Sequence, residues 1–229
     1  MSQSFILTHT KKKFSPENPQ LDQICLQDIA HALSFIGRFC GHTDHFYSVA
    51  QHSLLLAKRL QQDGYSNRIQ LIGLLHDASE AYFQDILSPL KKLLPDYQER
   101  EGVLMDVIWS CFGIRPTAYE LDVVHQYDRL MLAFELKKYH DFDRGDVLDE
   151  HVPQFLPDGP GVCKRQFFKE VMRLHTAYAG QKNELGSWYA QAHILLLFED
   201  MEFDAPIGID MAWLKRERET IFEARQQNA

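Results

Sequence analysis

The sequence predicts an all-α protein. Apolar residues recur at helical spacing in one segment after another. No run shows clean alternation of apolar and polar residues with turn signals on both sides, which a half-buried strand would require. Residues that stop or start helices, such as Gly41, Gly64, Gly113 and Ser88-Pro89, fall between the periodic segments.

The elements follow in order. The segment up to Gln20 is expected to be irregular or weakly extended, because Pro16, Asn18 and Pro19 oppose a helix. From Asp28, a candidate N-cap, the residues Ile29, Ala30, Leu33, Ile36 and Phe39 share one helical face. Gly41-His42-Thr43-Asp44 breaks that pattern. A second helix is expected from Tyr47 to Leu60, and a third from Ser66 to Tyr82 with Ile69, Ile72, Leu75, Ala78 and Tyr82 on its stripe. After a loop, Ser88-Pro89 resembles an N-cap followed by proline at the first helical position, and Pro95 is expected to end that short piece. Helices are then predicted over Asp96–Phe112, stopped by Gly113, and over Thr117–Tyr139. Residues 141–161, rich in Asp, Pro and Gly, are expected to form a loop. Further helices are expected over 164–179, 187–201 and 210–226, the last heavily charged and solvated.

The chain has 229 residues, 45% hydrophobic and 24% charged. That composition and length suit one globular domain or at most two small ones. No run approaches the roughly 18 consecutive apolar residues of a membrane span, so none is expected. Lys11, Lys12 and Lys13 are not followed by an apolar core, so the N-terminus does not resemble a secretory signal and cytoplasmic residence is expected. Cys25, Cys40, Cys111 and Cys163 are scattered without a Cys-x-x-Cys pair. That opposes a zinc ribbon and suggests reduced thiols. A net charge of −8 argues against a nucleic-acid partner. A small nucleotide remains open, because a phosphate needs only one or two well-placed cations.

The chemistry concentrates in Leu74-Leu75-His76-Asp77-Ala78-Ser79-Glu80. His76 and Asp77 are expected inside an otherwise apolar helix, and Glu80 follows at spacings of four and three residues, which groups it with both. Unpaired charges beside a buried stripe cost several kcal/mol, about 3 or more, and a metal is one way to offset that. A solvated or locally hydrogen-bonded His-Asp pair is the alternative. His52 on the preceding helix and Asp128 on a later one, the latter flanked by Val124, Met131 and Leu132, complete the pattern His…His-Asp…Asp.

That pattern resembles the HD-domain phosphohydrolase superfamily. The gaps of 24 residues from His52 to His76 and 51 from Asp77 to Asp128 suit it. Glu80, Asp85 and Ser88-Pro89-Leu90-Lys91 follow the dipeptide as in the nucleotidase branch, and Arg38 stands where that branch keeps a phosphate-contacting arginine. Gly37 to His42 and His45 to His52 resemble a subgroup that includes phage dATP triphosphohydrolases and YfdR-like prophage proteins. The resemblance covers about residues 28–178 of a single domain and implies an HD-type helical bundle; residues 179–229 are expected to form a further helical extension.

The resemblance implies that His52, His76, Asp77 and Asp128 hold one divalent transition metal. Two imidazoles and two carboxylates suit Mn²⁺, Co²⁺, Fe²⁺ or Zn²⁺, with Mg²⁺ also possible. Glu80 and Asp85 are the implied catalytic residues, one orienting the attacking water and one handling protons, in an order left open. Arg38 and Lys91 are the implied phosphate clamps, with His42 and His45 lining the pocket. The expected substrate is a small-molecule nucleotide, preferably a deoxynucleotide. Either a dNMP loses its phosphate or a dNTP loses triphosphate; the segment from Gly41 to Ser48 favours the latter modestly. A homo-oligomer is expected. The alternative is a non-catalytic helical module that binds metal or nucleotide. Trp188, Tyr189 and Trp213 of the extension are expected in its core or at an oligomer interface.

Overall fold

In the computed structural model, residues 4–143, 145 and 159–179 are described. The protein is helical. Its only regular extended structure among these residues is a two-stranded antiparallel hairpin, β1 (Ile6–Leu7) and β2 (Lys13–Phe14), with Ile6 opposite Phe14. The hairpin supplies the extended structure in a segment expected to be irregular or weakly extended. Two-residue strands are too short to show a period in sequence. Their anchor is Phe14, fully buried, with its ring 4.5 Å from that of Tyr82.

The first helix, α1, spans Leu26–Phe35 and is entered at Cys25, not capped by Asp28. Asp28 lies in its first turn and instead accepts hydrogen bonds from Thr10 N (2.7 Å) and Thr10 Oγ1 (2.8 Å), tying the hairpin to the helix. The helix also stops short of Phe39. Phe39 (φ 56°), Cys40 (φ 51°) and Gly41 (φ 77°) form a left-handed stretch. Such a stretch cannot continue a right-handed helix.

Helix α2 (Val49–Gln62) begins at Ser48, which forms a reciprocal capping box with Gln51. Helix α3 (Asn67–Leu75) begins at Ser66 and ends before the His-Asp dipeptide, contrary to the continuous helix expected to Tyr82. Nδ1 of His76 bonds the carbonyl of Gly73 at 2.8 Å, occupying the acceptor that a continuing helix would offer to Asp77 N–H. Bonds of three-residue span follow, from Ala78 N to Leu75 O and from Glu80 N to Asp77 O, before the short α4 (Glu80–Phe83).

Helix α5 covers Ser88–Lys91, and α6 runs Pro95–Cys111. Pro95 thus opens a helix where it was expected to close one, since a first-turn proline forfeits no hydrogen bond. Helix α7 (Ala118–His140) starts from a Thr117–Glu120 capping box, and α8 covers Pro160–Ala179. The helices expected over 187–201 and 210–226, with Trp188, Tyr189 and Trp213, lie outside the described residues, as does most of the 141–161 loop. No described helix is long and apolar enough to cross a membrane.

Helix α8 lies against α1, α2 and α3, and buries Cys163, Phe167, Val171 and Leu174 completely. Each such large apolar side chain contributes about 1.5–3 kcal/mol by leaving water. Helix α7 also packs on α2 and α3. At the α2–α3 contact, a Cβ on Gly73 would come within 2.6 Å of both Leu56 Cδ2 and Leu60 Cδ1. Only glycine fits this approach without displacing its neighbours. That close contact carries His76 towards His52.

Candidate metal centre

His52 is presented near the start of α2 and is completely buried. His76 and Asp77 occupy the turn at the end of α3, and Asp128 projects from the middle of α7. One ligand-type atom from each of His52, His76 and Asp77 lies within 4.8 Å of the others. Nε2 of His52 stands 3.1 Å from Asp128 Oδ1 and 3.8 Å from Asp77 Oδ2. Nε2 of His76 stands 3.1 Å from Asp77 Oδ2 and 3.8 Å from Asp128 Oδ1. Donors that share one ion at about 2.1 Å are spaced about 3 to 4 Å apart, the range of these four imidazole–carboxylate distances.

The hydrogen bonds of the rings point the same way. Nδ1 of His52 meets Glu135 Oε1 at 2.6 Å, and Nδ1 of His76 meets the Gly73 carbonyl at 2.8 Å. An ionised carboxylate and a carbonyl only accept, so in each neutral ring the proton sits on Nδ1 and the lone pair of Nε2 faces the cluster. Both Nε2 atoms are buried and neither makes a hydrogen bond. Such orphaned nitrogens, converging with two carboxylates, fit a divalent cation.

Electrostatics couple the four groups. Burial opposes charge on His76, but Asp77 and Asp128 outweigh it and hold its pKa well above the usual imidazole range. His52 is also raised: burial and Arg38 oppose its charge, and Glu135 and Asp128 overcome them. Burial disfavours the charged Asp77, yet His76 brings it down to about 2. Asp128 is lowered far below the usual range against the same burial, by its contacts with His52 and His76.

Glu80 is 4% exposed, and its Oε2 is buried without a hydrogen bond. Burial, reinforced by the charges of Asp77 and Asp85, lifts its pKa well above the usual range. Asp85, half-buried in the loop after α4, is also raised by burial, with Arg38 opposing and Asp77 adding. Arg38 is buried; its Nη1 lies 3.7 Å from Asp77 Oδ2. Lys91 is half-buried and bonds Glu101 Oε1 at 3.0 Å, whereas the adjacent Lys92 is exposed. His42 and His45 are exposed in the loop before α2, and their rings make no hydrogen bond, ion pair or ring contact among the described residues. The structure therefore groups His52, His76 and Asp77, sets Asp128 against both imidazoles, and places Arg38 at their edge. It leaves both loop histidines outside the cluster's contacts.

Glu135 escaped the sequence reading. It is fully buried, seven residues after Asp128 on α7. Its carboxylate accepts from His52, from Tyr47 OH at 2.7 Å and from Arg38 Nε at 3.1 Å, and pairs with Arg38 Nη2 at 3.0 Å. A charged residue two turns from a ligand, amid Met131, Ala133 and Phe134, was the available signal.

Comparison with known proteins places these residues in a wider group. The family model described as HD domain matches residues 40–154. The chain is 43% identical over 132 residues to Uncharacterized protein YfdR of Escherichia coli (strain K12), covering 58% of this chain and 70% of that protein. It is 36% identical over 102 residues to Uncharacterized protein RCAP_rcc00048 of Rhodobacter capsulatus, covering 42% of this chain and 52% of that one.

Proposed function

The chain belongs to the HD-domain family, and on that premise we propose that it is a metal-dependent phosphohydrolase acting on nucleotides, deoxynucleotides foremost. The observation that carries the reading is the pair of buried imidazoles whose unbonded Nε2 atoms converge with Asp77 and Asp128. When bound there, a divalent ion would acidify water and neutralise charge on a phosphoryl group. His52, His76, Asp77 and Asp128 would hold it.

The remaining residues supply the rest of the chemistry. Nη1 of Arg38 is the donor turned towards Asp77, suited to an incoming phosphate oxygen. Lys91 adds a second cation on the side of Glu101. Glu80, buried with an unbonded oxygen and a pKa raised by that burial, is suited to take or give a proton, and Asp85 can share that duty. A purely structural metal site needs neither of these carboxyls, which favours an enzyme over a binding module.

A dNMP nucleotidase and a dNTP triphosphohydrolase both suit this set of residues, and the loop from Gly41 to Ser48 leads us to place the triphosphohydrolase first. The test is turnover of dNMPs and dNTPs by protein loaded with Mn²⁺, Co²⁺ or Mg²⁺, with products separated as orthophosphate or triphosphate. Hydrolysis that disappears in Asp77→Ala supports the proposal. Metal-loaded protein that hydrolyses no nucleotide would overturn it.

A further inference from the structure

Resting on the metal-centre reading above, we infer that Glu135 is a positioning residue that orients the metal ligand His52 and the phosphate donor Arg38 through one carboxylate. Its two oxygens divide the task. Oε1 accepts from His52 Nδ1 (2.6 Å) and Tyr47 OH (2.7 Å). Oε2 accepts from Arg38 Nε (3.1 Å) and forms an ion pair with Nη2 (3.0 Å). Three hydrogen bonds and an ion pair occupy an acceptor-only group that is itself completely buried.

Two consequences follow from this geometry. The proton of His52 is held on Nδ1, so Nε2 keeps its lone pair for a cation. Arg38 spends Nε and Nη2 on Glu135, so Nη1 is the donor left over, and it is the one beside Asp77. The guanidinium of Arg38 and the N–H and O–H donors of His52 and Tyr47 all face Glu135, so it serves as the counter-anion of Arg38. It balances Arg38, leaving Asp77 and Asp128 to balance a dication.

An amide in its place cannot serve both sides. If the NH₂ of a glutamine faced Arg38, donors would oppose donors and the guanidinium would be released. If it faced His52, the amide would donate to Nδ1 and drive the imidazole proton onto Nε2, where it blocks the lone pair. The isosteric change must disturb either cation binding or Arg38.

The experiment compares wild type and Glu135→Gln by calorimetric titration with Mn²⁺, then by titration of the Mn²⁺-saturated proteins with orthophosphate. A loss of about 10–100-fold in either affinity is expected, the size seen when an outer partner of a metal ligand is removed. Both affinities unchanged would overturn the inference. Wild type that binds no Mn²⁺ would instead sink the metal reading itself. A second measurement needs no variant: ¹⁵N NMR of histidine-labelled, Zn²⁺-loaded wild type should place the proton of His52 on Nδ1. A proton found on Nε2 would overturn the inference whether or not Glu135→Gln folds.

Discussion

Nε2 of His52 stands 3.1 Å from Oδ1 of Asp128 without forming a hydrogen bond to it. The two atoms come from helices α2 and α7. Removing the carboxylate should therefore weaken cation binding first. In Asp128→Ala, Mn²⁺ affinity should fall by at least the roughly 10–100-fold lost with an outer partner. Mn²⁺ at about 100 times its dissociation constant should stabilise the wild type by about 2.7 kcal/mol. That rise in melting temperature should shrink in the variant. Equal Mn²⁺ affinities in calorimetry would remove Asp128 from the ligand set.

Glu80 and Asp85 are not needed to hold a cation in this arrangement. Glu80→Gln and Asp85→Asn should keep the metal content of the wild type. At least one should lose about 10²–10⁴-fold in kcat, the range for loss of a general acid or base. The paired readout is metal analysis and steady-state kinetics. Full activity in both variants would assign proton transfer elsewhere.

His175 offers a pH dependence separate from the site. It is 2% exposed, and its Nε2–H donates to the Phe112 carbonyl at 3.1 Å. Burial lowers its pKa from 6.5 to about 4. Above pH 6.5 both folded and unfolded states keep the ring neutral, so the group costs nothing. As pH falls from 6.5 towards 4, the unfolded chain binds a proton that the folded state excludes, and stability drops. The full loss is about 3 kcal/mol. Denaturant unfolding of wild type and His175→Gln at pH 7 and 4.5 checks this: the wild type should lose more on acidification. Parallel losses would refute the assignment.

Gly73 sets the spacing of α2 and α3. In Gly73→Ala the new methyl would meet Leu56 and Leu60, both fully buried, at 2.6 Å. Overpacking of this kind costs about 1–3 kcal/mol, against a gain of about 1 kcal/mol from helix propensity. A net fall in the denaturation midpoint is expected, with weaker Mn²⁺ binding because the Gly73 carbonyl orients His76. A variant as stable as wild type would show that the two leucines repack freely.

Much of this protein is written locally. The helix starts at Ser66 and Thr117 are visible because each side chain accepts from the backbone three residues on, a contact that sequence neighbours make on their own. The all-α class follows from periodicity within single helices. The His52, His76-Asp77 and Asp128 pattern is legible because its order and spacing resemble those of the HD-domain family, not because any one of the four stands out alone.

Other features depend on contacts between distant segments. Asp28 looked like a cap and is instead the acceptor for Thr10, because the hairpin folds back onto α1. The third helix looked continuous to Tyr82, but His76 turns its ring onto the Gly73 carbonyl and the chain breaks there. The sequence by itself determined the helical class, most helix starts and the residues that could hold a cation. Only the tertiary structure decided which nitrogen each imidazole offers, and that Glu135 joins His52 to Arg38 across 83 and 97 residues of chain. Caps and periodicity are short-range and survive in any segment that carries them. The bonds of a buried carboxylate exist only once α7 has packed on α2.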